Sequence, residues 1–204
     1  MILLVCSVHK ELEWIGPRAD TEVLITGIGP VDAAARVARA LEKRRYDAIV
    51  NAGIAGALRG VARVGDGVVV GEEMMEINLE NGEKLVVPDA AVVDRVPADA
   101  HFAEALTAFG FPLLRGITVS RVTTTEGTAQ RLRSLGAEIE TMEGYAVLRA
   151  AQFAGVPSIE VRGISNILGD RTNSEWSFEH GVAGLRRVLN AALDLLYTMP
   201  RNAE

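Results

Sequence analysis

Residues 23–34 read Val-Leu-Ile-Thr-Gly-Ile-Gly-Pro-Val-Asp-Ala-Ala. A β-branched run ends in the turn Gly27-Ile28-Gly29-Pro30, and the residues after it open a helix. The same grammar extends outward along the chain. Short apolar runs are predicted as strands at Ile2–Val8, Val23–Thr26, Ala48–Asn51, Gly67–Val70, Ile117–Ser120 and Ser158–Arg162. Several are apolar on both faces, as in a sheet covered on both sides. Longer stretches of helical period separate them. Val31–Arg45 carries Val31, Ala34, Ala38 and Leu41 on one stripe, and Gly144–Phe153 ends at Gly155 and Pro157. Phe178–Thr198 places Val182, Leu185, Leu189, Ala192, Leu193 and Leu196 at helical spacing. This alternation predicts an α/β fold of three layers, a central mixed but mainly parallel twisted sheet between helices. One segment departs from it. Glu72–Pro88 holds Asn81-Gly82, a favoured hairpin turn, between two alternating runs, and is read as an antiparallel excursion.

Composition narrows the function. The 204 residues are 49% hydrophobic and 24% charged, which excludes intrinsic disorder and fits a single domain over 1–204. The net charge of −6 lacks the basic surplus that neutralises a phosphate backbone, so nucleic acid is not an expected partner. One cysteine, Cys6 in an apolar run, excludes an internal disulfide and a cysteine-cluster zinc site. The three histidines, His9, His101 and His180, show no ligand spacing, so neither metal nor cofactor is expected. The amino-terminal residues lack a basic n-region, and no run approaches the roughly 20 apolar residues of a membrane helix. A cytoplasmic protein without membrane contact is the expectation.

Four stretches carry candidate chemistry. The turn at 27–32 suggests a dinucleotide fingerprint, but Asp32 stands where a third small residue would be needed. In Asn51-Ala52-Gly53-Ile54-Ala55-Gly56-Ala57, Gly53 and Gly56 would let backbone N–H groups approach a ligand or a water. No Gly-Lys-Ser/Thr follows, so it is not a nucleotide P-loop. Glu138–Ala146 puts Glu140, Met142 and Glu143 at a strand end running into a helix, where open α/β sheets place ligands. Finally Val161-Arg162-Gly163-Ile164-Ser165-Asn166 ends a strand with an amide that offers donor and acceptor together. Each has an ordinary structural explanation as a turn or a cap. No G-x-S-x-G elbow is present, against a serine hydrolase.

Taken together, VLITGIGPVDAA, IVNAGIAGAL, RVGDGVVVGEE, ETMEGYAV and IEVRGISN resemble, in order and spacing, the purine nucleoside phosphorylase and methylthioadenosine nucleosidase superfamily. The likeness spans nearly the whole chain. ISNILGDRTNSEW resembles the futalosine hydrolase branch, whose members remove hypoxanthine from futalosine on an alternative route to menaquinone. Adenine-cleaving relatives carry Ser-Asp where this chain has Ser165-Asn166. The resemblance implies a phosphorylase/hydrolase-like fold, a small nucleoside as partner and a homo-oligomer. Hydrolysis is favoured over phosphorolysis, because Ile54 stands where related enzymes have serine and no arginine directly precedes the turn. An apolar pocket holds water better than a phosphate dianion.

The resemblance also distributes roles. Glu143 would hold the ribose hydroxyls and face the cation that develops on the sugar, with Met142 against the ring. A glutamate after the first strand would activate water, and the downstream spacing favours Glu13 over Glu11. Val122–Thr125, chiefly Thr124 and Thr125, would line the base pocket with Asn166, and Ala55 and Gly56 would face the substrate. Arg171 would suit the carboxylate of the futalosine benzoate. The alternatives are an adenine-releasing nucleosidase acting on methylthioadenosine, S-adenosylhomocysteine or aminofutalosine, and a phosphate-dependent phosphorylase. A nucleoside-binding protein without turnover would lack one of the carboxylates.

Overall fold

A computed structural model describes residues 1–169 and 176–198. Eight strands form one sheet: β1 (Ile2–Cys6), β2 (Thr21–Ile25), β3 (Ala48–Ala57), β4 (Gly67–Met75), β5 (Arg95–Pro97), β6 (Leu113–Thr118), β7 (Ile139–Thr141) and β8 (Ser158–Ile167). Five helices accompany them: α1 (Pro30–Lys43), α2 (Ala100–Ala108), α3 (Glu126–Ser134), α4 (Gly144–Ala154) and α5 (Phe178–Thr198). The pairs β1–β2, β1–β3, β3–β8, β4–β6 and β6–β7 run parallel, whereas β3–β7, β4–β5 and β4–β8 are antiparallel. The sheet is thus mixed and mainly parallel, as predicted. Because β8 pairs with both β3 and β4, the strands β3, β7, β6, β4 and β8 close a ring.

Helices cover both sides. Ala33, Val37 and Ala40 of α1 pack with Val147 and Ala151 of α4 on Leu3, Val5 and Ile49. On the other side Leu185, Val188, Leu189 and Leu193 of α5 meet Val50, Val69 and Val161. The stripe expected for α1 is rotated: Val31 is 78% exposed and Ala38 is exposed, since the turn at Gly29 starts the helix with residues 33, 37 and 40 inward. Among the described residues no helix is long and apolar enough to cross a membrane.

Three corrections bear on the site. β3 and β8 are each ten residues long, so NAGIAGA and GISN are strand rather than turn. They pair along that whole length, with a register shift at Ala55/Gly56; such a bulge re-aims side chains beside a binding site. The 72–88 excursion is reduced to a remnant. β4 runs on to Met75, and beyond it stand a tight turn at Gly82 (φ 85°) and the isolated antiparallel bridges Asn78–Lys84 and Val87–Ala90. Residues 79–91 are exposed, so no face of a hairpin would be buried, and an unsupported two-stranded ribbon is marginal in water. Thirdly, α2 and α3 were not anticipated; Asp99 caps the one and Thr125 the other.

Candidate active site

The C-terminal ends of β1, β3, β7 and β8 converge on a cavity of about 380 Å³. That is ample for a small ligand, and it lies where strand ends in α/β sheets place one. Its wall includes Glu11, Ala55, Gly56, Met142, Glu143 and Asn166, and two aromatics, Trp176 and Phe178, stand at its edge.

Glu143 follows β7 and stands at the N-cap of α4, yet it makes no capping bond. Its Oε1 accepts instead from the backbone N–H of Gly29 at 2.7 Å. The glycine-rich turn at 27–30 therefore holds one of the protein's own carboxylates at the N-terminus of α1, where partial positive charge favours it. Burial pushes the Glu143 carboxyl above its ordinary range; the Arg162 charge and the Gly29 bond oppose that rise without cancelling it. Met142, half-buried, lies beside it.

Glu11, not Glu13, lines the cavity with Glu143 and Glu140. After β1 the chain makes a single 3₁₀ turn, His9–Glu11, which carries Glu11 inward and leaves Glu13 exposed and off the cavity wall. Glu11 is 3% exposed. Its Oε2 accepts from Ser7 Oγ at 2.9 Å, Cys6 Sγ at 3.0 Å and Val8 N at 3.3 Å. Its Oε1 accepts from Ile54 N at 2.9 Å. The backbone N–H after Gly53 is thus engaged by the protein itself. Gly53 serves a different end: a side-chain methyl there would overlap Arg162 Nη1 and sit 3.1 Å from Glu11 Oε1.

Arg162, within a quoted motif but given no role from sequence, is 2% exposed. It donates from Nε to Glu160 Oε1 at 2.8 Å, and Asn51 Nδ2 donates to Glu160 Oε2 at 3.1 Å. Burial disfavours its charge, but Glu160 and Glu143 more than offset this and hold it as a cation. Its Nη2 is buried with no hydrogen-bond partner among the described residues.

Asn166 meets the expectation of position. Its Oδ1 accepts from Ser165 Oγ at 2.9 Å, which directs the NH₂ group away from Ser165. Gly56 makes room for it, because a methyl there would come within 3.1 Å of Asn166 Nδ2. Of the expected stretch Val122–Thr125, the first two residues line the cavity and the last two do not. Thr123 lines the cavity, its N–H 3.0 Å from Glu140 Oε1 and its hydroxyl on Glu140 Oε2. Thr124 and Thr125 are exposed and do not line it. Thr124 borders a neighbouring cavity of about 370 Å³, and Thr125 Oγ1 accepts from Thr128 N to start α3. The expected Thr125 contact fails because a helix start uses the hydroxyl first. Arg171 lies outside the described residues.

Comparison with known proteins places the chain in a family. Residues 18–199 match the phosphorylase superfamily. Futalosine hydrolase of Streptomyces coelicolor is 35% identical over 175 residues, covering 80% of this chain and 74% of that protein. Futalosine hydrolase of Thermus thermophilus is 30% identical over 192 residues, 89% of this chain and 85% of that one. The native structure of futalosine hydrolase from Helicobacter pylori superposes with a TM-score of 0.80 at 16% identity, covering 95% and 97% of the two chains, and so shares the fold. The chain belongs to the phosphorylase superfamily and, within it, to the futalosine hydrolase family.

Proposed function

We propose that this protein cleaves the N-ribosidic bond of futalosine with water, releasing hypoxanthine and dehypoxanthine futalosine. The observation that carries the reading is the pairing of Glu11 and Glu143 on one small cavity whose far wall presents the Asn166 amide. Breaking the bond builds positive charge on the ribose and sends the electron pair to the purine. Glu143 holds the ribose hydroxyls and faces the developing cation. Glu11 takes a proton from the attacking water, whose oxygen bonds the anomeric carbon. Glu11 Oε1 keeps a lone pair for that water beyond the Ile54 bond. The leaving purine nitrogen takes up a proton from solvent, and Glu11 returns to solvent the proton it took from the water. The Asn166 NH₂ group donates to the 6-oxygen of the base, with the Ser165 hydroxyl bonded to the amide oxygen.

Trp176 and Phe178, with ring centroids 5.9 Å apart and planes tilted by 52°, offer apolar ring faces to the base at the cavity edge. A homo-oligomer suits the apolar side chains exposed at the cavity edge, Ile28 and Val122, and light scattering tests it. The deciding assay incubates the protein with futalosine, inosine and methylthioadenosine in phosphate-free buffer and identifies the released base by chromatography. Hypoxanthine from futalosine is expected. Release of adenine from methylthioadenosine alone would assign the chain to the adenine-releasing nucleosidases, and a requirement for phosphate would make it a phosphorylase.

A further inference from the structure

A capping side chain at a helix N-terminus accepts from the second or third backbone N–H of that helix. Glu143 does not, although those N–H groups are adjacent. The free N–H of Tyr145, second residue of α4, is met from another strand: it donates to Thr118 Oγ1 at 2.7 Å. Thr118, the last residue of β6, donates in turn to Glu73 Oε2 at 2.9 Å. Glu73 Oε1 accepts from Thr141 Oγ1 at 2.8 Å, which ties the same carboxylate to the end of β7. Thr118 is 4% exposed and Glu73 fully buried, so neither can turn to bulk water. The space is reserved for them. A methyl on Gly116 or on Gly144 would overlap Glu73 Oε1.

We propose that Thr118, oriented by Glu73, is a substitute cap for α4 that leaves the Glu143 carboxylate free to face the substrate. Both are positioning residues, acting through Glu143, and the inference rests on the role given to Glu143 above. Without the Thr118 hydroxyl, the Tyr145 N–H is a buried donor with no partner. Two carboxylates stand beside it, Glu73, which loses its Thr118 partner in the same step, and Glu143 at the N-cap. A rotation of the Glu143 side chain onto that N–H draws its carboxylate from the Gly29 N–H and from the ribose.

The test is a double-mutant cycle in kcat/KM for futalosine. Thr118→Val keeps the shape and removes the hydroxyl, and Thr118→Ser restores it. Thr118→Val is expected to lower kcat/KM about 10- to 100-fold, the usual effect of stranding a buried donor. Thr118→Ser recovers most of that loss. In the Glu143→Gln protein the valine substitution has almost no further effect on kcat/KM, while its effect on Tm is the same in both backgrounds. Equal losses of kcat/KM in both backgrounds, a loss that serine does not restore, or no loss with valine would each overturn the inference. If Thr118→Val does not fold, Glu73→Gln carries the same cycle, because the amide keeps one acceptor and turns the other into a donor. Near-normal turnover by Glu143→Gln alone would instead overturn the role of Glu143 itself, so the two failures are distinct.

Discussion

Glu11 and Glu13 share a side chain and differ in everything around it. Glu11 is buried beneath four donors, and Glu13 is solvated. Glu11→Gln is therefore expected to lower kcat by about 10²-fold or more, the scale of losing a positioned base, and Glu13→Gln to change it less than about twofold. The reverse order would put water activation outside the cavity. Glu143→Gln should leave the circular dichroism unchanged and reduce kcat roughly 10²- to 10³-fold. Since burial holds the Glu143 carboxyl above its ordinary range and the ionised form is needed, kcat falls on acidification at a pH above that of a free carboxylate. A limb in the ordinary carboxylate range would separate this group from the rate. Asn166→Asp replaces the only donor of that side chain by an acceptor. The ratio of kcat/KM for futalosine over its 6-amino counterpart should drop about 10- to 200-fold, as for a buried polar mismatch. An unchanged ratio would mean the base is read elsewhere. Glu143 and Met142 were legible from sequence because a strand-end-to-helix motif is local, and Asn166 because it closes an apolar strand run with a polar amide. Glu11 was not, because the two-residue choice depends on whether the chain makes one 3₁₀ turn or the start of an α-helix.

The elements around the site are held by close backbone approach, and α5 shows it best. Gly163 on β8 lies under α5 so tightly that a methyl there would overlap Gly181 O and Leu185 N. Across the same contact, a methyl on Gly67 of β4 would stand 2.6 Å from Gly184 O, and one on Gly184 would stand 2.5 Å from Gly65 O. Helix and sheet meet here with little side chain between them. Gly163→Ala has only backbone to displace, so it is expected to destabilise by about 3 kcal/mol or more, at the upper end of overpacking. Urea unfolding measures this, and a loss below about 1 kcal/mol would mean that α5 can shift freely. The periodicity of α5 was readable because its stripe is long and strictly spaced. The short helices α2 and α3 were not, since nine residues give too few turns for a period to stand out. Their caps, Asp99 and Thr125, are the signal that would have found them.

Over the whole molecule the uncommon feature is a set of buried carboxylates, of which Glu73, Glu143 and Glu160 stand around Arg162. Burial raises the Glu73, Glu140 and Glu143 carboxyls, and for Glu73 the neighbouring Glu160 adds to the rise. In the unfolded chain these groups return to ordinary values. Between the two, the folded state binds more protons than the unfolded one, so this contribution to stability falls as pH rises through that window. It is the opposite of the common case of a salt-bridged acid. Glu73→Gln cannot ionise, so its Tm relative to the unsubstituted protein is expected to improve as pH is raised from about 5 to about 8. A Tm difference independent of pH would show Glu73 ionised throughout.

The sequence by itself determined the α/β class, the positions of the longer strands and helices, and the set of motifs that meet at the site. Those are properties of neighbouring residues: alternation, helical spacing, glycine and proline at turns. Tertiary structure alone decided which glutamate of the first turn enters the cavity, that Thr123 rather than Thr124 or Thr125 lines it, and that β3 and β8 continue through their glycines as paired strands. It also decided that α4 is capped by a threonine from another strand. Each depends on a partner far along the chain. Tyr145 finds Thr118 across 27 positions, Ile54 finds Glu11 across 43 and Gly29 finds Glu143 across 114. A buried polar group must be met by whatever the fold brings beside it, and no local pattern records that neighbour.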